Sequence, residues 1–222
     1  LNGPFVFLPP EKFATDRRRE ILLAKKYDEN NISIIIFCPA NVQMSDKKSK
    51  TRERILEAAR SALIQHGPAE PSVSQVMGAA GLTVGGFYAH FDSKDELMLE
   101  AFRQLLGERR ALLAQIDPSL DGAGRRALAS AFYLSRKHRD AEVHACPLPN
   151  SLGEMQRLPE VFREVLAEHI ELMTAAMVDR PEDADKALAD LALMVGGLAL
   201  ARALGTSELS DRILRAAKSA VL

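Results

Sequence analysis

The chain has no tryptophan, only two cysteines, and aromatic residues at just 5% of its 222 positions. Cys38 and Cys146 stand more than a hundred residues apart, which excludes a disulfide framework and any paired-cysteine metal knuckle. No apolar run approaches the roughly 18 residues of a membrane span. Ile32 to Cys38 is apolar but too short for a secretory signal, and no small-residue cleavage site follows it. An excess of one charge is also missing: 29 Lys and Arg face 30 Asp and Glu, for a formal net charge of −1, so the whole molecule is not a generic polyanion binder. Catalytic signatures are absent too. None of the five histidines follows a glutamate by three residues, and there is no H-x-x-x-H, G-x-S-x-G or phosphate-loop motif. An enzyme is therefore disfavoured, no metal or other cofactor is expected, and the expected location is cytoplasmic.

What is present is helical. Hydrophobic residues make up 47% of the chain, enough for a real core, and Ala and Leu dominate the second half. The most informative stretch is Ser72 to Leu97, SVSQVMGAAGLTVGGFYAHFDSKDEL. Ser72 with Gln75 forms a capping box, and Val73, Val76, Met77 and Ala80 recur at helical spacing behind it. Gly81 supplies the positive φ that ends a helix, Leu82 plugs the turn, and Thr83 is placed to cap a second helix running to about His90. Ser93 with Glu96 starts another helix. Two short helices about a Gly-centred turn are the layout of a helix-turn-helix, whose second helix enters the major groove of DNA.

The block from Thr51 to Leu97, with TRERILEAARSALIQHG as first helix and the G-L-T-x-G-x-F-Y-x-H-F-x-S-K-x-E-L pattern behind it, resembles the N-terminal domain of the TetR/AcrR family of bacterial transcriptional regulators. The resemblance implies an all-α protein. Its N-terminal three-helix helix-turn-helix domain would bind DNA, and its C-terminal helical domain would bind a small ligand and form a homodimer. The expected partition is 44–97 for the reading head and 98–222 for the effector-binding and dimerisation domain. Residues 1–43, with the Pro-rich LPPEK, the basic DRRRE and the apolar ISIIIF, precede Met44 and are expected to be a non-native or disordered extension. The competing reading is an added strand on Ile32 to Phe37.

The resemblance places Thr83, Val84, Gly85, Gly86, Tyr88 and His90 at or near DNA, with Lys94 at the next helix start. Tyr88, His90 and Lys94 suit phosphates, while Phe87 and Phe91 are expected to pack inward. Thr83, Val84 and the glycine surface remain for base edges, with Ser72, Ser74 and Gln75 as further readers. Lys47, Lys48, Lys50, Arg52 and Arg54 form a basic cluster running into the first helix, so Lys50 and Thr51 join the expected DNA-binding set. The implied partner is a near-palindromic double-stranded operator.

Downstream, helices are expected over Ser93 to about Gln115, Asp121 to Arg139, Pro159 to about Val178, Pro181 to near Gly205, and from Ser207 onward. Cys146-Pro-Leu-Pro-Asn reads as a break, with a short helix from Asn150 or Ser151 through Leu158. Leu188, Leu191, Ala192, Val195, Leu198, Ala199 and Arg202 recur at i, i+3, i+4 spacing and are expected at the dimer interface, as the family resemblance implies. Phe132, Tyr133, Met155, Phe162 and Met173 are placed to line a cavity for a hydrophobic effector.

Cys146 follows the cations Arg136, Lys137, His138 and Arg139, which would lower its pKa, and the C-P-L segment resembles a subgroup that includes electrophile- and redox-sensing repressors. A small buried hydrophobe is the other reading of Cys146. The functional expectation is a ligand- or electrophile-released repressor. Its alternative is a ligand-binding or redox-responsive helical module whose DNA binding has degenerated.

Overall fold

The computed structural model describes residues 22–28, 31–37, 42–141 and 145–221, with 22–28, 31–37 and 42–46 as backbone only. The chain divides into two units, Leu1–Thr51 and Arg52–Leu222. In the first, β1 (Leu22–Asp28) pairs antiparallel with β2 (Asn31–Phe37), in a register running from Leu22 opposite Phe37 to Asp28 opposite Asn31. Residues 1–21, 29–30 and 38–41 lie outside the described residues. From α1 (Val42–His66) onward, every regular element among the described residues is an α- or 3-10 helix, as expected of the all-α class.

In the second unit, α1 runs on to His66, and Gly67 turns the chain at φ 80°. α2 (Val73–Ala79) starts at the capping box: the Gln75 amide donates to Ser72 Oγ at 3.2 Å, and the Ser72 amide donates to Gln75 Oε1 at 2.8 Å. Gly81 takes φ 67°, the left-handed turn expected of it. α3 (Lys94–Leu113) is capped by Ser93 Oγ, which accepts from the Glu96 amide, while the Glu96 carboxylate accepts from the Asp92 amide. Arg52 pairs bidentately with Glu100, and Arg60 pairs through one N–H with Glu108, so two ion pairs join α1 to α3 above a core that includes Ile55, Leu63, Leu97 and Phe102.

The helix expected over Asp121 to Arg139 is two. α4 (Gly122–Tyr133) stops at Leu134, and α5 (Arg136–Arg139) restarts at Ser135, whose hydroxyl accepts from the His138 amide and donates to the Phe132 carbonyl. A serine that satisfies both ends locally competes with helix continuation.

The Cys146-Pro-Leu-Pro-Asn break also needs correcting. α6 (Leu148–Ser151) forms there and passes into a 3-10 turn at Leu152–Glu154. Pro147 and Pro149 fall at the cap and in the first turn, where an amide has no helical acceptor to lose. α7 (Glu160–Ala176) follows Pro159, and α8 (Ala184–Ala203) follows a 3-10 turn opened by Pro181. α9 (Glu208–Val221) closes the bundle.

Two buried arginines fix the C-terminal helices. Arg126 on α4 donates to the Met177 carbonyl and pairs with Asp190 of α8 at 3.0 Å. Arg139 on α5 reaches Ser210 and Asp211 of α9 at 2.9 and 2.7 Å.

Candidate nucleic-acid interface

Thr83 sits extended at the cap position, but its hydroxyl makes no capping bond. The element behind it, Val84–Ala89, is a 3-10 helix rather than an α-helix: the Gly86 amide bonds the Thr83 carbonyl at 3.1 Å, an i to i+3 step. Paired glycines weaken the α-helical alternative, and the tighter turn moves the amide that Thr83 would have capped. Phe87 and Phe91 are both buried, with ring centroids 5.9 Å apart, and anchor the turn to the core as expected. The opposite side is solvent-facing: Thr83, Gly85, Tyr88 at 70% exposure and Val84 at 43%. His90 is half-buried.

The glycines do not answer to anything inside the protomer. Neither Gly85 nor Gly86 has a positive φ. A Cβ on Gly85 would meet no atom within 4 Å, and one on Gly86 only the tip of Met77 at 3.9 Å. Alanine would fit both positions.

The other expected contacts divide. Ser72 and Gln75 are exposed but their polar groups close the capping box, and Ser74 is exposed beside them. Lys94 Nζ donates to the Ala69 carbonyl at 2.6 Å, which fixes the elbow before α2 and leaves its remaining hydrogens. Of the basic cluster, Arg52 is committed to Glu100 and stacks 4.4 Å over the Phe91 ring, and Arg54 donates to the Ala80 carbonyl at the end of α2. These two therefore brace the reading head. In the Leu1–Thr51 unit, Lys47, Lys48 and Lys50 are exposed, and Thr51 Oγ1 donates to the Lys47 carbonyl at 2.9 Å.

The segment after Cys146 bears on the same head. Asn150 Nδ2 donates to the Ile64 and Gln65 carbonyls at the end of α1, and the Glu154 carboxylate accepts from the Ala69 amide at 2.9 Å. No motif marked these residues in the sequence.

The dimer residues need correction. Leu191, Val195 and Leu198 are buried in the chain's own core, and Arg202 donates to the Cys146 and His138 carbonyls of the same chain. Helical spacing finds an apolar stripe but not its partner, and α8 is apolar on two sides. Its outward side carries Leu188, Ala192, Leu193, Gly196 and Leu200, with Ala199 half-buried at the edge. Ala192, Leu193, Gly196 and Leu200 face Ile213, Ala216 and Ala220 of α9 across an open groove of about 450 Å³.

The effector residues divide in the same way. Phe132 is 70% exposed: Arg126, Ser130 and Leu134 form the buried stripe of this stretch, and Phe132 falls two residues from Ser130, on the far side. Phe162 and Met155 are plain core, Phe162 packing against Phe102 with centroids 6.0 Å apart. Met173 is half-buried, as is Tyr133, whose hydroxyl is itself buried. Cys146 is buried, and burial pushes its thiol up, outweighing the Tyr133 hydroxyl, the Leu148 backbone and the charges of Arg109 and Arg202, which act to lower it. Arg136 and Arg139 are held by Asp211 instead. Among the described residues no group of acidic, His and Cys side chains could hold a metal ion, and no helix is long and apolar enough to cross a membrane.

Residues 55–101 match the family model of the tetR family of bacterial regulatory proteins. The HTH-type transcriptional regulator YerO of Bacillus subtilis (strain 168), itself uncharacterized, is 27% identical over 161 residues, 70% of this chain and 54% of the relative. A protein of Escherichia coli (strain K12) described as a "Probable acrEF/envCD operon repressor" is 29% identical over 72 residues, 32% of this chain and 33% of the relative. The chain thus spans about half or less of the length of these relatives. In fold it is similar to the reduced form of E. coli NemR, with a TM-score of 0.65 at 19% identity, over 78% of this chain and 95% of that one.

Proposed function

We propose, for a chain that belongs to the TetR family of bacterial regulatory proteins, that it represses transcription by binding an operator as a homodimer and leaves it on taking up a small effector. The observation that carries this is the exposed strip Thr83, Val84, Gly85 and Tyr88, set on a turn that Phe87 and Phe91 hold rigid from below. A 3-10 turn of glycines brings main chain, rather than side chains, to the base edges. Thr83 and Val84 offer methyl contacts to thymine, while Tyr88, His90, Lys94, Lys50 and Thr51 serve the phosphates. Ser74 and Gln75 add contacts from α2.

Two heads are needed, because one short element reads too few base pairs for a specific site. The outward groove of α8 and α9 supplies the pairing surface: small residues let a second copy approach closely, and a two-fold contact presents both heads to one palindrome. The same assignment makes the protein cytoplasmic and its chemistry that of binding rather than catalysis.

Release is assigned to a ligand rather than to an electrophile, since the Cys146 thiol is buried and held protonated. The test is selection of bound fragments from native genomic DNA, followed by mobility shifts with random-sequence competitor across a salt series. A specific complex that outlasts competitor supports the reading. Weak association that vanishes with salt at every sequence refutes it, and marks a helical module without a working head.

A further inference from the structure

Inside the C-terminal bundle two arginines point inward with no acid to meet them among the described residues. Arg202 on α8 spends its guanidinium on neutral carbonyls, Cys146 at 3.1 Å and His138 at 3.2 Å. Arg109 on α3 has a buried Nε–H with no acceptor. Its charge acts on Tyr133, His138, Cys146 and Arg202 alike, which puts all five in one cluster. No ion pair joins a carboxylate to either arginine among the described residues. Tyr133 brings a further buried donor: its hydroxyl lies against the Cys146 thiol, a weak sulfur partner, and meets no oxygen or nitrogen acceptor.

The other members cannot supply a negative charge. His138 is neutral, with Nδ1 against the Tyr133 carbonyl and Nε2 accepting from the Cys146 amide. The phenol and the thiol are both pushed up by burial and stay protonated. Two positive charges, one unmet N–H and a phenol whose partner is only a thiol thus share a desolvated region with no carboxylate paired to them among the described residues, an arrangement that costs free energy until an anion enters. The flanks are apolar: Leu106 and Leu198 lie one helical turn back from the two arginines and Leu134 adjoins Tyr133, and all three are buried.

We infer that Arg109, Arg202 and Tyr133 form a receptor for the carboxylate of a small, otherwise apolar molecule, which would be the effector. The inference rests on the reading of the C-terminal helices as the effector domain. A carboxylate accepts from planar guanidinium forks and from a phenol at once, and an apolar body suits the flanking leucines better than a strongly hydrated inorganic phosphate would.

The test uses the full chain and calorimetric titration at fixed ionic strength, with acetate, benzoate and hexanoate against acetamide, benzamide and hexanamide, and inorganic phosphate as a further arm. At least one carboxylate should bind about tenfold or more tighter than its amide, the size of one charge-assisted hydrogen bond. Arg109→Gln removes no hydrogen bond among the described residues of the ligand-free protein, and Tyr133→Phe removes only the weak contact of its hydroxyl with the Cys146 thiol. Each should weaken the carboxylate about tenfold without lowering the melting temperature, while Arg103→Gln, at an exposed position of α3, should change neither.

Equal binding of acid and amide, or no binding of either, overturns the inference, as does phosphate binding in preference to every carboxylate. A lowered melting temperature in Arg109→Gln with unaltered carboxylate affinity assigns Arg109 a structural part and overturns it too. Operator binding measured on the same preparations separates the two levels. Intact operator binding without carboxylate preference sinks this inference alone, whereas absent operator binding sinks the functional reading.

Discussion

Gly85 offers a prediction in which stability and function move in opposite directions. Its φ is not positive and a Cβ there would meet nothing within 4 Å, so alanine costs no strain and no clash. Alanine also narrows the unfolded ensemble, so Gly85→Ala should stabilise the domain by about 0.5–1 kcal/mol. For a chain of this size that is a rise in Tm of about 2–4 °C. If the turn is glycine because its main chain approaches the bases, the added methyl must be accommodated at both half-sites of a dimer. A lost or distorted base contact costs about 1–3 kcal/mol, so operator affinity should fall at least about tenfold.

Scanning calorimetry and fluorescence anisotropy on one preparation measure the two effects. Gly153→Ala is the control: a Cβ on Gly153 also meets nothing within 4 Å, but it lies in the turn after α6, and it should leave operator affinity alone. Gly85→Leu should abolish specific binding while leaving the dimer intact. A Gly85→Ala protein that is more stable and binds its operator as tightly as wild type would refute close approach by the backbone.

Three further outcomes are expected. Leu200→Arg, at a position 59% exposed on the outward side of α8, should yield a folded monomer in analytical ultracentrifugation; Leu191→Arg, a buried position, should instead unfold the chain, and the reverse pattern would restore the stripe first expected from spacing. His138 and His169 are both held neutral by burial, with pKa values pushed down to about 4. The unfolded chain therefore binds protons from about pH 6.5 downward while the folded chain refuses them. Each histidine should cost up to about 1.4 kcal/mol per pH unit as pH falls from about 6.5 to 4, a loss that urea titrations at several pH values would register. Thiol reagents should modify Cys146 only as fast as the domain opens, and Cys146→Ser should keep effector-driven release; rapid modification of the folded protein, with release of DNA, would reinstate an electrophile switch.

Much of the reading head was legible because its signals are local. Ser72 with Gln75, Gly81, and Ser93 with Glu96 each fix a helix end through atoms a few residues apart, and the burial of Phe87 and Phe91 follows from their spacing. The helical nature of the remainder came from composition and periodicity, properties of the chain before it folds. What neighbours do in space was not legible. An apolar stripe on α8 has the same pattern whether it meets its own bundle or a second copy, and only packing turned Leu191, Val195 and Leu198 inward and left Leu193 and Leu200 outside. Cys146 stood among cations in sequence, yet tertiary burial decided its protonation, because desolvation acts through the surroundings and not through chain neighbours. Arg109 had no signal at all: that its Nε–H lacks an acceptor exists only once α3, α4 and α8 are brought together, since an unmet hydrogen bond is a property of a place and not of a residue.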